Sequence, residues 1–342
     1  MSQDELTLAR RIGGLNNVAI SAAGSGNRDL VIDLIERGAN DFAAIALAAV
    51  EGGYRDIVND MVEAGATNLG DIALIAAERG YWDIVKDMIE AGATTNLGDI
   101  ALIAAEKGYR DIIGMIAQKG RIDPNKIALI AAERGYRDIV NDMVEAGATN
   151  IEDIAYRAAG EGYQDIVKDM IEEGASDFNE MAANAAEAGR ASIVELLIDY
   201  GADDFDRFAM LAATEGYRDI VDRMIEWGAE DYGYIAYGAI RGDHRDIFDE
   251  MIAHGVENIN SLAGDAATYG RRDMLDVLLR NGANDYNLIA AKAAERGHRE
   301  IVEDMIDRGA NDYNTIASRA IRGGHQGIAD WIARISSRRA QA

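Results

Sequence analysis

The sequence predicts an all-α solenoid of stacked antiparallel helix pairs, and three observations lead to it. The chain repeats itself every 27 residues. Each unit carries two apolar stripes of helical spacing. Glycine and Asn/Asp punctuate those stripes at fixed places. A chain of 342 residues would ordinarily divide into two or three globular domains. A solenoid escapes that rule because each repeat contacts only its neighbours.

Units begin at Gly26, Gly53, Gly80, Gly108, Gly135, Gly162, Gly189, Gly216, Asp243, Gly270, Gly297 and Gly324. Every step is 27 residues except one of 28, where a threonine is inserted at Thr94-Thr95. The stretch 53–68, GYRDIVNDMVEAGATN, recurs unchanged at 135–150.

Repeat positions 5, 6, 9 and 10 are apolar, which places one stripe on a helix B. Met fills position 9 in many units and reads as core. Asp at position 4 (Asp29, Asp56, Asp83) falls in the first turn of helix B, where the helix dipole favours a negative charge. Glycine at position 13 (Gly38, Gly65, Gly92, Gly147, Gly174) suits the left-handed residue that ends a helix. Position 16, always Asn or Asp, sits where the next helix needs an N-cap. The single proline, Pro124, follows Asp123 at the first helical position. Helix A then runs Ile-Ala-x-x-Ala-Ala, and its small alanines allow close helix approach. Each helix has only about ten residues and is marginal alone, so neighbouring units must bury one another's faces.

Three regions follow. Residues 1–25 are expected to form an N-terminal cap, with a helix from about Asp4 to Arg11 preceding a first helix A. Residues 26–323 form eleven helix-pair repeats. Residues 324–342 form a C-terminal capping helix and a basic tail carrying Arg334, Arg338 and Arg339. Polar terminal units keep a solenoid from sticking end to end, and a monomer is expected.

Composition narrows the function. There is no cysteine, which excludes disulfides and thiolate chemistry. The polar, acidic start resembles no secretory signal, and no run is long and apolar enough for a membrane span. An intracellular protein of the cytoplasm or nucleus is expected. The net charge of −26 disfavours direct contact with nucleic acid or an anionic membrane and favours basic partners.

The segment GHREIVEDMIDRGAND at 297–312 resembles the second helix and exit turn of an ankyrin repeat, and GYRDIVDRMIEWGAED at 216–231 is similar. IALIAAERG and its copies resemble the first ankyrin helix. The resemblance covers nearly the whole chain but departs in period, 27 instead of 33, and lacks the Thr-Pro-Leu-His start. The missing residues correspond to the β-hairpin finger between repeats. The resemblance implies protein–protein recognition, generally through the concave side lined by the A helices.

No residue pattern points to catalysis, a cofactor or a metal. Three of the four histidines (His244, His298, His325) occupy position 2 of different units, and none of the four pairs at metal-ligand spacing. Gly-Ser-Gly at 24–26 lacks the following Gly-Lys-Ser/Thr of a phosphate loop. The carboxylates recur at fixed positions, as on a solvated face. Tyr at position 2 (Tyr54, Tyr81, Tyr109, Tyr136, Tyr163, Tyr217) is expected to line the inter-helix turn.

Positions 22 and 23 of helix A diverge while the framework stays uniform. Early units carry Leu74-Ile75, Leu102-Ile103 and Leu129-Ile130. Later ones carry Tyr156-Arg157, Ala183-Asn184, Tyr237-Gly238, Gly264-Asp265, Ala291-Lys292 and Ser318-Arg319. Partner contacts are therefore expected at Tyr156, Arg157, Asn184, Tyr237, Asp265, Lys292 and Arg319, with Trp82 and Trp227 as secondary contacts; aromatics and Arg are the usual hot-spot residues. The leading reading is a non-enzymatic interaction scaffold. The alternatives are an acidic mimic of nucleic acid that blocks a basic site on another protein, and an artificial repeat sequence with no natural partner.

Overall fold

The computed structural model describes residues 3–120 and 122–339. The side chains of Arg338 and Arg339, and the tail after them, lie outside the described residues. Those residues form 24 α-helices and no strand, α1 (Gln3–Gly24) to α24 (Gln326–Arg339). Odd-numbered helices are the A helices and even-numbered ones the B helices. Two compact units divide the chain, one of Met1–Ile154 with Lys168–Glu173, the other of Ala155–Val167 with Gly174–Ala342.

In both units the stripes read from the sequence are the core. Ile72, Ala73, Ala76 and Ala77 of α5 (Leu69–Arg79) are buried, as are Ile57, Val58 and Met61 of α4 (Arg55–Ala64). Every position-13 glycine has positive φ, including Gly65 at 111° and Gly201 at 113°. A side chain there would face the left-handed penalty of about 1–2 kcal/mol. Position 1 behaves alike. Asp243, the one non-glycine at that position, still adopts φ 69° and pairs with Arg271 at 2.8 Å.

Two expectations are corrected. The N-terminal cap is not two helices: α1 runs unbroken from Gln3 to Gly24, because Gly13-Gly14 weakens a helix without stopping it. Nor do all position-16 residues cap. Asp41, Asp123, Asp177, Asp231, Asp285 and Asp312 accept from the third amide of their helices. Asn68, Asn96, Asp204 and Asn258 make no such bond. Asn96 is turned into the left-handed region beside the inserted threonine and donates to Asp71 instead, at 2.9 Å.

Three devices join successive repeats. First, the ring at position 2 lies on the position-1 glycine of the preceding unit. A Cβ on Gly53 would sit 2.7 Å from the Tyr81 ring, and one on Gly189 2.6 Å from that of Tyr217. His244, His298 and His325 cover Gly216, Gly270 and Gly297 in the same way. Second, the residue at position 18 reaches into the next turn. Asn16 Oδ1 accepts from the amides of Asn40 and Asp41 at 2.8 and 3.2 Å. Asn125, Asn179, Asp206, Asn260 and Asn287 repeat this clamp.

The third device is an arginine ladder along the B helices. Arg28, Arg55, Arg110 and Arg137 each grip an acid 32 residues on, Asp60, Asp87, Asp142 and Asp169, by two parallel bonds of 2.6–2.8 Å. In the second unit Arg218 reaches Glu250, and Arg272 reaches Asp304 at 3.0 Å. These recurrent acids are thus paired, not simply solvated. The two-pronged geometry suits guanidinium and could not be met by lysine. Hydrogen bonds from Arg55 and Asn59 hold the Asp87 carboxyl below its ordinary range, and Arg137 and Asn141 do the same for Asp169.

Candidate functional site

The exposed edge of the A helices divides by unit. In the first unit, Leu74-Ile75, Leu102-Ile103 and Leu129-Ile130 are half-buried on α5, α7 (Leu97–Lys107) and α9 (Pro124–Arg134). Three successive helices therefore offer aliphatic carbon at the same register. Asp71, Glu78, Asp99 and Glu106 stand exposed on two of these helices.

In the second unit the edge is polar and aromatic, and much of it is bound to itself. Tyr156 is exposed, while its backbone carbonyl accepts from Asn184 Nδ2 at 2.8 Å. Arg157 beside it is exposed. Asp265 and Lys292, 27 residues apart at one register, form an ion pair of 2.7 Å. Arg319 pairs with Glu295 at 2.7 Å and holds that carboxyl below its usual value. The Tyr237 hydroxyl lies 3.4 Å from that of Tyr269. This hydrogen bond, with partial burial, pushes the Tyr237 phenol up. The geometry thus joins Tyr156 to Asn184 and Asp265 to Lys292, and leaves the other expected residues apart.

Position 22 is not uniformly a surface position. Ala183, Met210, Gly264 and Ala291 are buried. Gly238, at position 23, diverges for packing: a Cβ there would lie 2.3 Å from the Met210 carbonyl, so α17 (Tyr232–Gly242) rests its backbone on α15 (Phe205–Glu215). Of the secondary residues, Trp82 is stacked on Tyr109 with centroids 4.0 Å apart, which makes it part of the repeat contact. Trp227 is exposed at the end of α16 (Arg218–Trp227).

Tyr269 and Glu295 were not among the residues expected from sequence. Tyr269 leaves a trace there, since it takes position 27, where Arg79, Lys107, Arg134 and Arg296 are basic. Glu295 leaves none, because glutamate is common at its position. The histidines have packing roles: three lie on glycines, and His254 stacks on Tyr232 at 4.7 Å.

Paired helices, left-handed glycine ends and rings stacked from unit to unit set the architecture. The array is ankyrin-like. No family model matches the chain, and no curated protein does. Among solved structures it is similar to the crystal structure of the human ASB11 ankyrin repeat domain. Identity is 22%, the match covers 46% of this chain and 84% of that one, and the TM-score is 0.36. No helix among the described residues is long and apolar enough to cross a membrane.

Proposed function

We propose that the chain is a non-enzymatic scaffold that binds another protein along the exposed edge of its A helices. One observation carries this reading. The framework positions keep their residues from repeat to repeat, while positions 22 and 23 change character along the chain. Scaffold positions are fixed by packing, so divergence confined to an accessible edge is the mark of a surface shaped by what it meets. Half-buried aliphatics supply apolar area, Tyr156 and Arg157 supply anchors of the usual hot-spot type, and the net charge of −26 favours a partner with a basic surface. The acidic-mimic reading is weaker. The ladder acids are neutralised by arginine, so the B helices present ion pairs and not rows of free anionic charge.

The test is capture from a lysate at low and high salt with three baits: the wild-type chain, Tyr156→Ala with Arg157→Ala, and Trp227→Ala. A salt-resistant partner lost only with the double variant supports the A-helix edge. Loss only with Trp227→Ala moves the surface to the B-helix ends. A partner released by salt from every bait returns the acidic mimic to the front.

A further inference from the structure

The two ends of the array depart from what a solenoid end should be. Facing sides can be assigned from contacts inside the array. Along helix A, position 23 faces the preceding repeat and position 22 the following one. Asn184 reaches back to the Tyr156 carbonyl, and the Lys292 stem lies 3.0 Å from where a Gly264 Cβ would be. Position 20, three residues before 23, therefore also faces the preceding repeat, and position 25 faces the following one. Along helix B, position 8 receives the arginine of the preceding repeat, so position 5, three residues earlier, faces that way too.

At position 20 the eleven residues of the full repeats are 0–3% exposed, whereas Val18 of α1 is 49% exposed. At position 5 the residues after the first repeat are 0–7% exposed, whereas Leu30 of α2 (Arg28–Glu36) is 37% exposed. At position 25 the other residues are 0–2% exposed, whereas Ile321 of α23 (Tyr313–Arg322) is 56% exposed. The N-terminal end thus presents Val18 and Leu30 on its preceding side, and the C-terminal end presents Ile321 on its following side. These are the two halves of the contact made between every pair of repeats inside the array. Terminal repeats ordinarily carry a polar outer face to stay soluble; here aliphatic side chains occupy both.

We propose that the chain associates head to tail with a second copy of itself, the Ile321 face of one copy docking on the Val18–Leu30 face of the next. The occupant follows from continuity: each end lacks the partner surface that the opposite end supplies. This replaces the monomer expected from the sequence. Such a contact is heterologous and adds copies in series. A few side chains make it weak. With like charge on every copy, it strengthens as salt screens the repulsion.

Sedimentation velocity of the full chain across concentration and salt tests it. The average mass is expected to rise with both. Val18→Asp with Leu30→Asp blocks one end, and Ile321→Asp blocks the other. Each variant alone is expected to sediment as a monomer, with association weakened at least about tenfold. Mixed in equal amounts they are expected to form a dimer and nothing larger, because each keeps the end the other lacks. All three sites are exposed, so unchanged melting by circular dichroism confirms that the variants fold. A wild-type chain that stays monomeric at every concentration overturns the proposal. So does association that survives Ile321→Asp, or a mixture that does not pair.

Discussion

The position-1 glycine meets two demands at once, and they can be separated. Gly189 has φ 73° and lies under the Tyr217 ring, whereas Gly201 has φ 113° and open space where a Cβ would go. Gly201→Ala should cost only the left-handed penalty, about 1–2 kcal/mol. Gly189→Ala should cost that and a further amount of about 1–3 kcal/mol for displacing the ring. Urea unfolding of both variants measures the difference. If the two changes cost the same, the ring contact contributes nothing. The glycines were legible as helix ends in the sequence. Their second role was not, because the ring that covers each belongs to the next repeat, 28 residues along for Gly189 and Tyr217.

Among the elements, the position-18 clamp stands where the ankyrin finger is absent. In α21 (Tyr286–Arg296) the Asn287 side chain accepts from the amides of Asn311 and Asp312 at 2.8 and 2.9 Å, fixing the turn that starts the next helix A. Asn287→Ala should destabilise the chain by about 1 kcal/mol, the net worth of exposed hydrogen bonds of this kind. Asn287→Asp should be tolerated, since Asp206 makes the same clamp with both bonds at 2.8 Å. Thermal melting checks both, and an aspartate variant as unstable as the alanine one would show that the acceptor is not what matters. The clamp was hidden in the sequence because position 18 also holds Ala43, Gly70 and Gly233. No constant residue marks it.

The whole molecule is dominated by its charge of −26, and acid acts on it in two opposing ways. Protonation lowers the self-repulsion, but it also breaks the ladder. Asp87 and Asp169 have folded-state values below their ordinary 3.8. A depressed carboxylate contributes stability that is present above its unfolded value and lost as the pH falls through its folded one. The loss should therefore begin at about pH 4 and grow below it. The double variant Asp87→Asn with Asp169→Asn should be less stable than wild type at neutral pH and lose less stability on acidification. Denaturant melts at a series of pH values read both slopes; parallel curves would mean that the two acids do not couple folding to pH.

The sequence alone determined the period, the two helices of each repeat, their glycine ends and the apolar stripes. Those features depend on spacing within a single unit, and the 3.6-residue turn converts spacing directly into a face. It also marked the A-helix edge as the place where repeats differ. Only the tertiary structure decided which of those differences face outward. Gly238 varies because a backbone must pass close by, Asp265 and Lys292 vary as a pair, and Tyr156 and Arg157 vary on an exposed edge. The same holds for the arginine ladder, the position-18 clamp and the open ends. Each joins residues 24 to 32 positions apart, or lacks the neighbour that would bury it. Whether a side chain is paired, packed or free depends on what the next repeat brings against it, and no pattern within one unit carries that information.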